Sequence, residues 1–348
     1  MAMTIVETRA VTGGVDTHLD THVAAALDAN GGVLGVESFP TTTAGFAALF
    51  DWLTGFGDLQ QVGVEGTGAY GAGLARHLTA RGVAVIEVDR PNRQARRMRG
   101  KSDQLDAVEA GRAVISGRAT GVAKTGDGNV EAMRVLLVAK RSGRDSRIAC
   151  LNQLRHLGFC APDELRDQFA GVLKKHLAAQ AAALRPRADG DPVLYATKLA
   201  MRTLGRRAVA LSEDSDRLDC LLAELVTATA PGLLELYGVG IDTAAILLVA
   251  AGDNAERVRS EAAWAHLCGV APLPVITGKS ANRYRLNRGG NRQANHALWR
   301  IVFTRMGSDD RTRVYVQRRL DEGLSKPEIM RVLKRYVARE TYKHLPRT

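Results

Sequence analysis

Short apolar runs broken by turn residues open the chain. VTGGVDTH and THVAAALDA alternate around a polar tip and predict a hairpin, and GGVLGVESF predicts a third strand. TTAGFAALFDWLTGF switches to helical spacing, with the hydroxyls of Thr41, Thr42 and Thr43 available as N-caps. LQQVGVEG then predicts a strand, AYGAGLARHLTARG a helix closed by Gly82, VAVIEVD another strand and KSDQLDAVEAGRAV a further helix. Three strands followed by strands separated by helices predict a mixed α/β sheet with covering helices.

From Asp127 to Thr229 the strand patterns stop, and Ala, Leu, Arg, Lys and Glu dominate. Leu204, Leu211, Leu218 and Leu225 recur at every seventh position, with Leu222 on the same seam. That spacing suits a coiled coil joining subunits, or a helix packed within its own domain. The run from Arg185 to Pro192 breaks this helical region into two arms. A third region begins at Pro231 with PGLLELYGVGIDTAAILLVAAGD and continues through helices, a basic loop and a helix-rich tail, SKPEIMRVLKRYVARETYKHL. The expected division is therefore 1–126, 127–230 and 231–348.

Charge narrows the partner. The 348 residues carry a formal net charge of +11, which predicts binding to a polyanion. No apolar run approaches the ~20 residues of a membrane span, and MAMTIVETRAVTGG lacks the pattern of a signal peptide. The 4 cysteines are scattered with no CxxC, which argues against a zinc ribbon or a disulfide framework and predicts a reduced, cytoplasmic protein.

Four carboxylates are the candidate chemistry. Asp16 ends the first strand pattern and Glu65 ends VGVEG; if those strands are neighbours, both emerge at one end of the sheet. Asp103 and Asp106 lie three apart on a helix and share a face. Singly, each has an ordinary reading: Asp16 and Asp20 as turn formers, Glu65 as a rim charge, Asp103 as a helix cap. Together they repel unless cations sit between them, and an unpaired Glu65 within an apolar strand costs several kcal/mol. Hard oxygen ligands suit Mg2+ or Mn2+, and a pair of such ions activates one oxygen and stabilises another in phosphoryl transfer. Arg90, Arg93, Arg96, Arg97, Arg99 and Lys101 directly precede Asp103, as expected where a phosphate backbone is led to metal. His18 and His22 are separated by an expected turn with no cysteine near. They are read as turn residues or secondary contacts, not zinc ligands.

The third region is basic. From Leu273 to Ser308 there is no Asp or Glu, while Lys279, Arg283, Arg285, Arg288, Arg292, Arg300 and Arg305 are present. Tyr284 and Trp299 add flat surfaces that contact bases or simply pack, and the glycines of NRGGN permit a tight backbone turn. This stretch predicts nucleic-acid contact. Gly238 and Gly240 in GVGIDTAAILL suit either a phosphate-binding helix-hairpin-helix or a plain inter-helix turn.

These runs resemble the RuvC-like DEDD transposases of the IS-one-ten family of insertion sequences, a family that includes the Piv-type DNA invertases. GVDTHLDTHVAAALD resembles its first-strand motif, VGVEGTGAYG its glutamate motif and KSDQLDA its paired-aspartate motif. The likeness continues in WAHLCGVAPLP and TGKSANRYRLNRGGNRQANHALWRI, so it spans nearly the whole chain. It implies a RuvC-like (RNase H-like) α/β domain, a helical coiled-coil middle and a mainly α C-terminal transposase domain. It also implies a DNA recombinase whose tetrad, Asp16, Glu65, Asp103 and Asp106, uses magnesium together with a C-terminal serine that attacks DNA and forms a phosphoserine intermediate. The resemblance further implies that homodimers pair into a tetramer and that a structured non-coding RNA, the bridge RNA, pairs with donor and target double-stranded DNA. The serine is expected in a Ser-Gly-Lys run; here ITGKS places Thr277 at that position, with Ser280 three residues on as the other candidate nucleophile.

Three other readings compete. An RNase H-like nuclease or junction resolvase would use the carboxylates and an activated water without a covalent intermediate. An actin-like kinase needs a second α/β lobe, where the pattern predicts helices. A non-enzymatic nucleic-acid-binding protein would leave the acidic residues merely structural.

Overall fold

The opening alternation forms an antiparallel pair, β1 (Ala10–Thr17) and β2 (Thr21–Leu27), across a turn in which the His18 N–H donates to the Thr21 carbonyl at 3.2 Å. β3 (Val33–Pro40) pairs antiparallel with β2. α1 (Thr43–Thr54) begins at Thr42, whose hydroxyl accepts from the Gly45 N–H at 3.1 Å and satisfies one donor of the first turn. β4 (Asp58–Glu65) then runs parallel to β1, and after α2 (Ala72–Thr79) β5 (Ala84–Val88) runs parallel to β4. α3 (Asp103–Ile115) and a short β6 (Gly121–Val122), antiparallel to β5, complete the sheet in the order β3-β2-β1-β4-β5-β6. The computed structural model describes residues 9–88, 102–123, 126, 128–188, 190–253, 258–277, 280–287 and 289–346, with side chains for all of these except 122, 274–277 and 280–286.

The period of two along each strand gives the sheet two buried faces. Val15, Val62 and Val64 pack with Leu49, Leu53, Leu74 and Leu78 of α1 and α2. Each fully buried leucine here contributes roughly 1.5–3 kcal/mol. On the other face Val23, Ala25 and Leu27 pack with Ala107 and Val108 of α3. Glycines bring α3 down onto that face. A Cβ on Gly14 would lie 2.1 Å from the Ala107 carbonyl oxygen, and one on Gly63 2.7 Å from that of Ala110. One on Gly111 would lie 2.2 Å from Leu27 Cδ1. At Gly14 and Gly63 no side chain larger than hydrogen fits unless the helix moves, and at Gly111 the buried Leu27 side chain would have to shift.

The described residues divide into two units: residues up to 128 with 251–259, and 129–250 with 260 onward. In the second unit α4 (Asn129–Cys160), α5 (Asp163–Phe169), α6 (Lys174–Ala182) and α7 (Pro192–Thr229) form a helical bundle. The break expected between Arg185 and Pro192 separates α6 from α7, which starts with Pro192 just inside the helix and Asp191 accepting from the Val193 and Leu194 N–H groups. The fully buried positions of α7 are Met201, Gly205, Ala208, Leu222 and Val226. Leu204, Leu211, Leu218 and Leu225 flank that seam, half-buried. A Cβ on Gly205 would lie 2.5 Å from the Ala182 nitrogen, so α6 touches α7 backbone to backbone.

The remainder of this unit comprises α8 (Ile241–Ala251), α9 (Glu261–Leu267), a two-stranded hairpin of β7 (Pro272–Thr277) and β8 (Ser280–Leu286), and α10 (Arg292–Ser308), α11 (Asp310–Asp321) and α12 (Lys326–Tyr342). The hairpin stands where the sequence predicted a basic loop. Pro272 and Pro274 break the strand signal, yet in a two-stranded sheet each can turn its missing donor outward. Among the described residues no helix is long and apolar enough to cross a membrane.

Candidate active site

The alternation that sends Val15 to one face sends Gly14 and Asp16 to the other, beneath α3. On β4 the same alternation puts Glu65 on the α3 face with Gly63. The parallel register pairs Val15 with Val64, so Asp16 and Glu65 stand at the same end of adjacent strands. On α3 the sheet-facing stripe is Ala107, Ala110, Gly111 and Val114, and helical spacing continues it backwards to Asp103 and Asp106. Asp16 and Glu65 thus end adjacent parallel strands, and Asp103 and Asp106 lie in the first turn of the helix packed on that sheet.

Within that end the closest grouping is Asp16, His18 and Asp103, which each offer a ligand atom within 4.8 Å of the others. His18 Nδ1 lies 3.6 Å from Asp16 Oδ2, and its Nε2 lies 3.9 Å from Asp103 Oδ1. Asp16 and Asp106 are buried, whereas Asp103 faces solvent. Glu65 and Asp106 are not part of this grouping. Two carboxylates and an imidazole fit a divalent ion that completes its shell with water or phosphate oxygen, and manganese accepts such a mixed set more readily than magnesium.

Local bonds fix the strand ends. Thr17 Oγ1 donates to the Glu65 carbonyl at 2.7 Å, tying β1 to β4 directly behind the carboxylates. Gly66 follows with φ +76°, a left-handed turn that a side chain would strain. Thr67 donates to Glu87 Oε1 at 2.8 Å, anchoring the Gly-Thr-Gly turn to β5. Ser102 caps α3 by accepting from the Leu105 N–H, and the acidic residues of its first turn complement the helix dipole.

His18 was expected as a turn residue or secondary contact, and it stands between two members of the tetrad. It lies in the β1–β2 turn, one residue beyond the end of β1. His22 is different. It is fully buried, stacks on Phe46 at 5.6 Å and 7°, and neither ring nitrogen has a hydrogen-bond partner. Burial pushes its pKa below the usual histidine value, so it is a neutral core residue.

The two candidate nucleophiles are register partners: Thr277 pairs with Ser280 at the end of the β7–β8 hairpin. Their side chains lie outside the described residues, as do those of Arg283 and Arg285 on β8. Arg90, Arg93, Arg96, Arg97, Arg99, Lys101, Lys279 and Arg288 lie outside them altogether. Arg292 opens α10 and is exposed. The hairpin base is held by Asn295, which donates to the Cys268 and Gly269 carbonyls at 2.9 and 3.1 Å and accepts from Lys334 Nζ at 2.9 Å. At the candidate helix-hairpin-helix, Gly238 has φ +78°, and a Cβ there would lie 3.3 Å from the Ile301 carbonyl oxygen. Its close approach is thus to α10 of the same chain.

Comparison with known proteins bears on these features. A family model of DEDD transposases of IS110, the IS-one-ten family named above, matches residues 13–157, and one described as transposase IS116/IS110/IS902 family matches residues 230–317. In Streptomyces coelicolor, the insertion element IS110 uncharacterized 43.6 kDa protein is 32% identical over 123 residues, 35% of this chain and 30% of that protein. The match thus spans less than a third of that relative's length.

Proposed function

Because the chain belongs to the IS110 family of transposases, we propose that it is a DNA transposase, a site-specific recombinase that cuts and rejoins strands during insertion-sequence mobility. The observation that supports this reading is the grouping of Asp16, His18 and Asp103 beside the end of β4, where Asp16 and Glu65 close adjacent parallel strands, in a fold read as RuvC-like. Asp16, Glu65, Asp103 and Asp106 would hold Mg2+ or Mn2+, with His18 close to Asp16 and Asp103. When bound, the ions neutralise charge on the scissile phosphate and favour attack on it.

The protein's own contribution is a hydroxyl. Thr277 stands where the family has its serine, and its oxygen attacks phosphorus, forming a phosphothreonine bond as the DNA oxygen leaves with a proton. Its secondary alcohol is more hindered than a serine, so slower attack is expected. Ser280, its register partner, is the other candidate. In the same reading donor and target are double-stranded DNA, a structured bridge RNA guides their choice, and homodimers joined through the helical middle pair into a tetramer. The domains are 1–126, 127–230 and 231–348.

The experiment is trapping of a protein–DNA adduct on donor DNA with Mn2+, for the intact chain, Thr277→Ala and Ser280→Ala. Adduct lost in Thr277→Ala alone supports the assignment; adduct surviving both changes removes it. Cleavage with no adduct at all favours the nuclease reading, which needs only the carboxylates of the first unit.

A further inference from the structure

α10 carries two stripes. Ala294, Ala297, Leu298, Ile301 and Val302 are buried and account for its packing. On the opposite side His296, Trp299 and Phe303 form a ladder of near-parallel rings, with centroids 5.6 and 5.1 Å apart and planes within 20°. These rings face solvent: Trp299 is 38% exposed and Phe303 61%. An aromatic stripe is ordinarily core, but here the core lies elsewhere on the helix.

The ladder runs between two cationic zones. On one side is a cavity of about 430 Å3, lined by Lys140, Arg141 and Arg144 of α4 and by Arg292, His296 and Arg300 of α10. Its one acidic residue is Asp242, already hydrogen-bonded to Lys140 and 3.7 Å from Arg300. Arg141 Nε is buried there with no hydrogen-bond partner. Burial alone would lower the Lys140 pKa, but its bonds to Asp219 and Asp242 outweigh that and keep it charged. On the other side Trp299 and Phe303 wall a recess of about 670 Å3 with Met306 and Met330, rimmed by Lys326 and Arg331 and lined by no acidic residue. His296 belongs to both features, lining the cationic cavity and stacking on Trp299.

We propose that this face of α10 binds an unpaired stretch of nucleic acid, with a base stacked on the Trp299–Phe303 rings and its backbone phosphate in the Lys140–Arg141–Arg300 cavity. Flat rings flanked by cations match a π-face attached to an anionic backbone. A duplex is a poor occupant, because its bases already stack on one another and present only edges and phosphates. The chemistry is common to single-stranded DNA and RNA. The proposal deepens the function above, resting on the reading that the protein acts on nucleic acid.

The test uses the full chain in EDTA with fluorescein-labelled single-stranded DNA, single-stranded RNA of the same sequence, and the matching duplex. Trp299→Ala and Phe303→Ala, both at exposed positions, should weaken single-strand binding on the order of tenfold and duplex binding less than twofold. Trp299→Phe should restore most of the affinity, and Arg300→Ala should lower the salt dependence by about one ion. The arm that shows the loss names the strand chemistry. Equal losses for duplex and single strand, or none for either, would overturn the proposal. So would a changed sedimentation profile without changed single-strand affinity, which would make the face a contact between copies of this chain. Because metal is absent, failure here leaves the adduct test untouched, and failure there leaves this one.

Discussion

Gly14 of β1 lies directly beneath Gly111 of α3, so close that a Cβ on Gly14 would sit 2.4 Å from the Gly111 nitrogen. This contact sets how far the first turn of α3, with Asp103 and Asp106, stands from the ends of β1 and β4. Gly14→Ala should therefore lift the helix and cost about 1–3 kcal/mol through overpacking. DNA cleavage should fall at least tenfold, although no carboxylate is altered. Thermal unfolding alongside a cleavage assay checks this, and a stable, fully active Gly14→Ala protein would show that helix placement is not limiting.

His18 should matter more for manganese than for magnesium, because an imidazole is the softer donor of its grouping. His18→Ala is expected to raise the Mn2+ concentration for half-maximal cleavage about 10–100-fold, with a smaller change for Mg2+. Titrating each metal against the variant measures this. Equal shifts for both would assign His18 to orientation of the aspartates.

Acid should weaken the first unit through His22. Burial holds its folded pKa below the unfolded value of about 6.5, the nearby His18 adding to the effect. The unfolded chain then binds the extra proton first, so stability is full above that pH and declines as pH falls toward the depressed folded pKa. The pKa of His77, in edge contact with Phe46, is lowered by burial and by Arg81 and acts in the same direction. His22→Phe should flatten the decline of the melting temperature between pH 6.5 and 5 without abolishing it. An identical slope in the variant would count against a neutral buried imidazole.

Asn295 joins α10 to the loop before the hairpin and to the buried Lys334, whose pKa is lowered by burial and then by Arg331. Asn295→Ala strands two carbonyls and an ammonium, at a cost of about 2–4 kcal/mol. Chemical denaturation measures the loss; a change under about 0.5 kcal/mol would mean that water replaces the side chain.

Much of the first unit was legible because strand alternation, a threonine cap and turn glycines agree on one answer. The placement of Asp16 and Glu65 at the ends of adjacent parallel strands, and of Asp103 and Asp106 in the first turn of α3, followed from strand pattern and helical spacing. His18 was legible as a turn residue or secondary contact, but its distance to both Asp16 and Asp103 depends on how α3 meets the turn, which sequence spacing does not give. The middle region was legible as helix, but its tightest seam uses Gly205 and Ala208, residues whose importance lies in what they lack. A search for leucines finds the flanks of such a seam. The ladder on α10 was half visible: Trp299 stood out, but His296 and Phe303 join it only once the opposite stripe is known to fill the core.

The most direct measurement of the central claim is Mn2+ binding by calorimetry to the intact chain and to Asp16→Asn, Glu65→Gln, Asp103→Asn and Asp106→Asn, each checked for an unchanged melting temperature. The account predicts that every substitution weakens binding at least tenfold and that DNA cleavage falls with it. Folded variants that bind Mn2+ as tightly as the intact chain would contradict it.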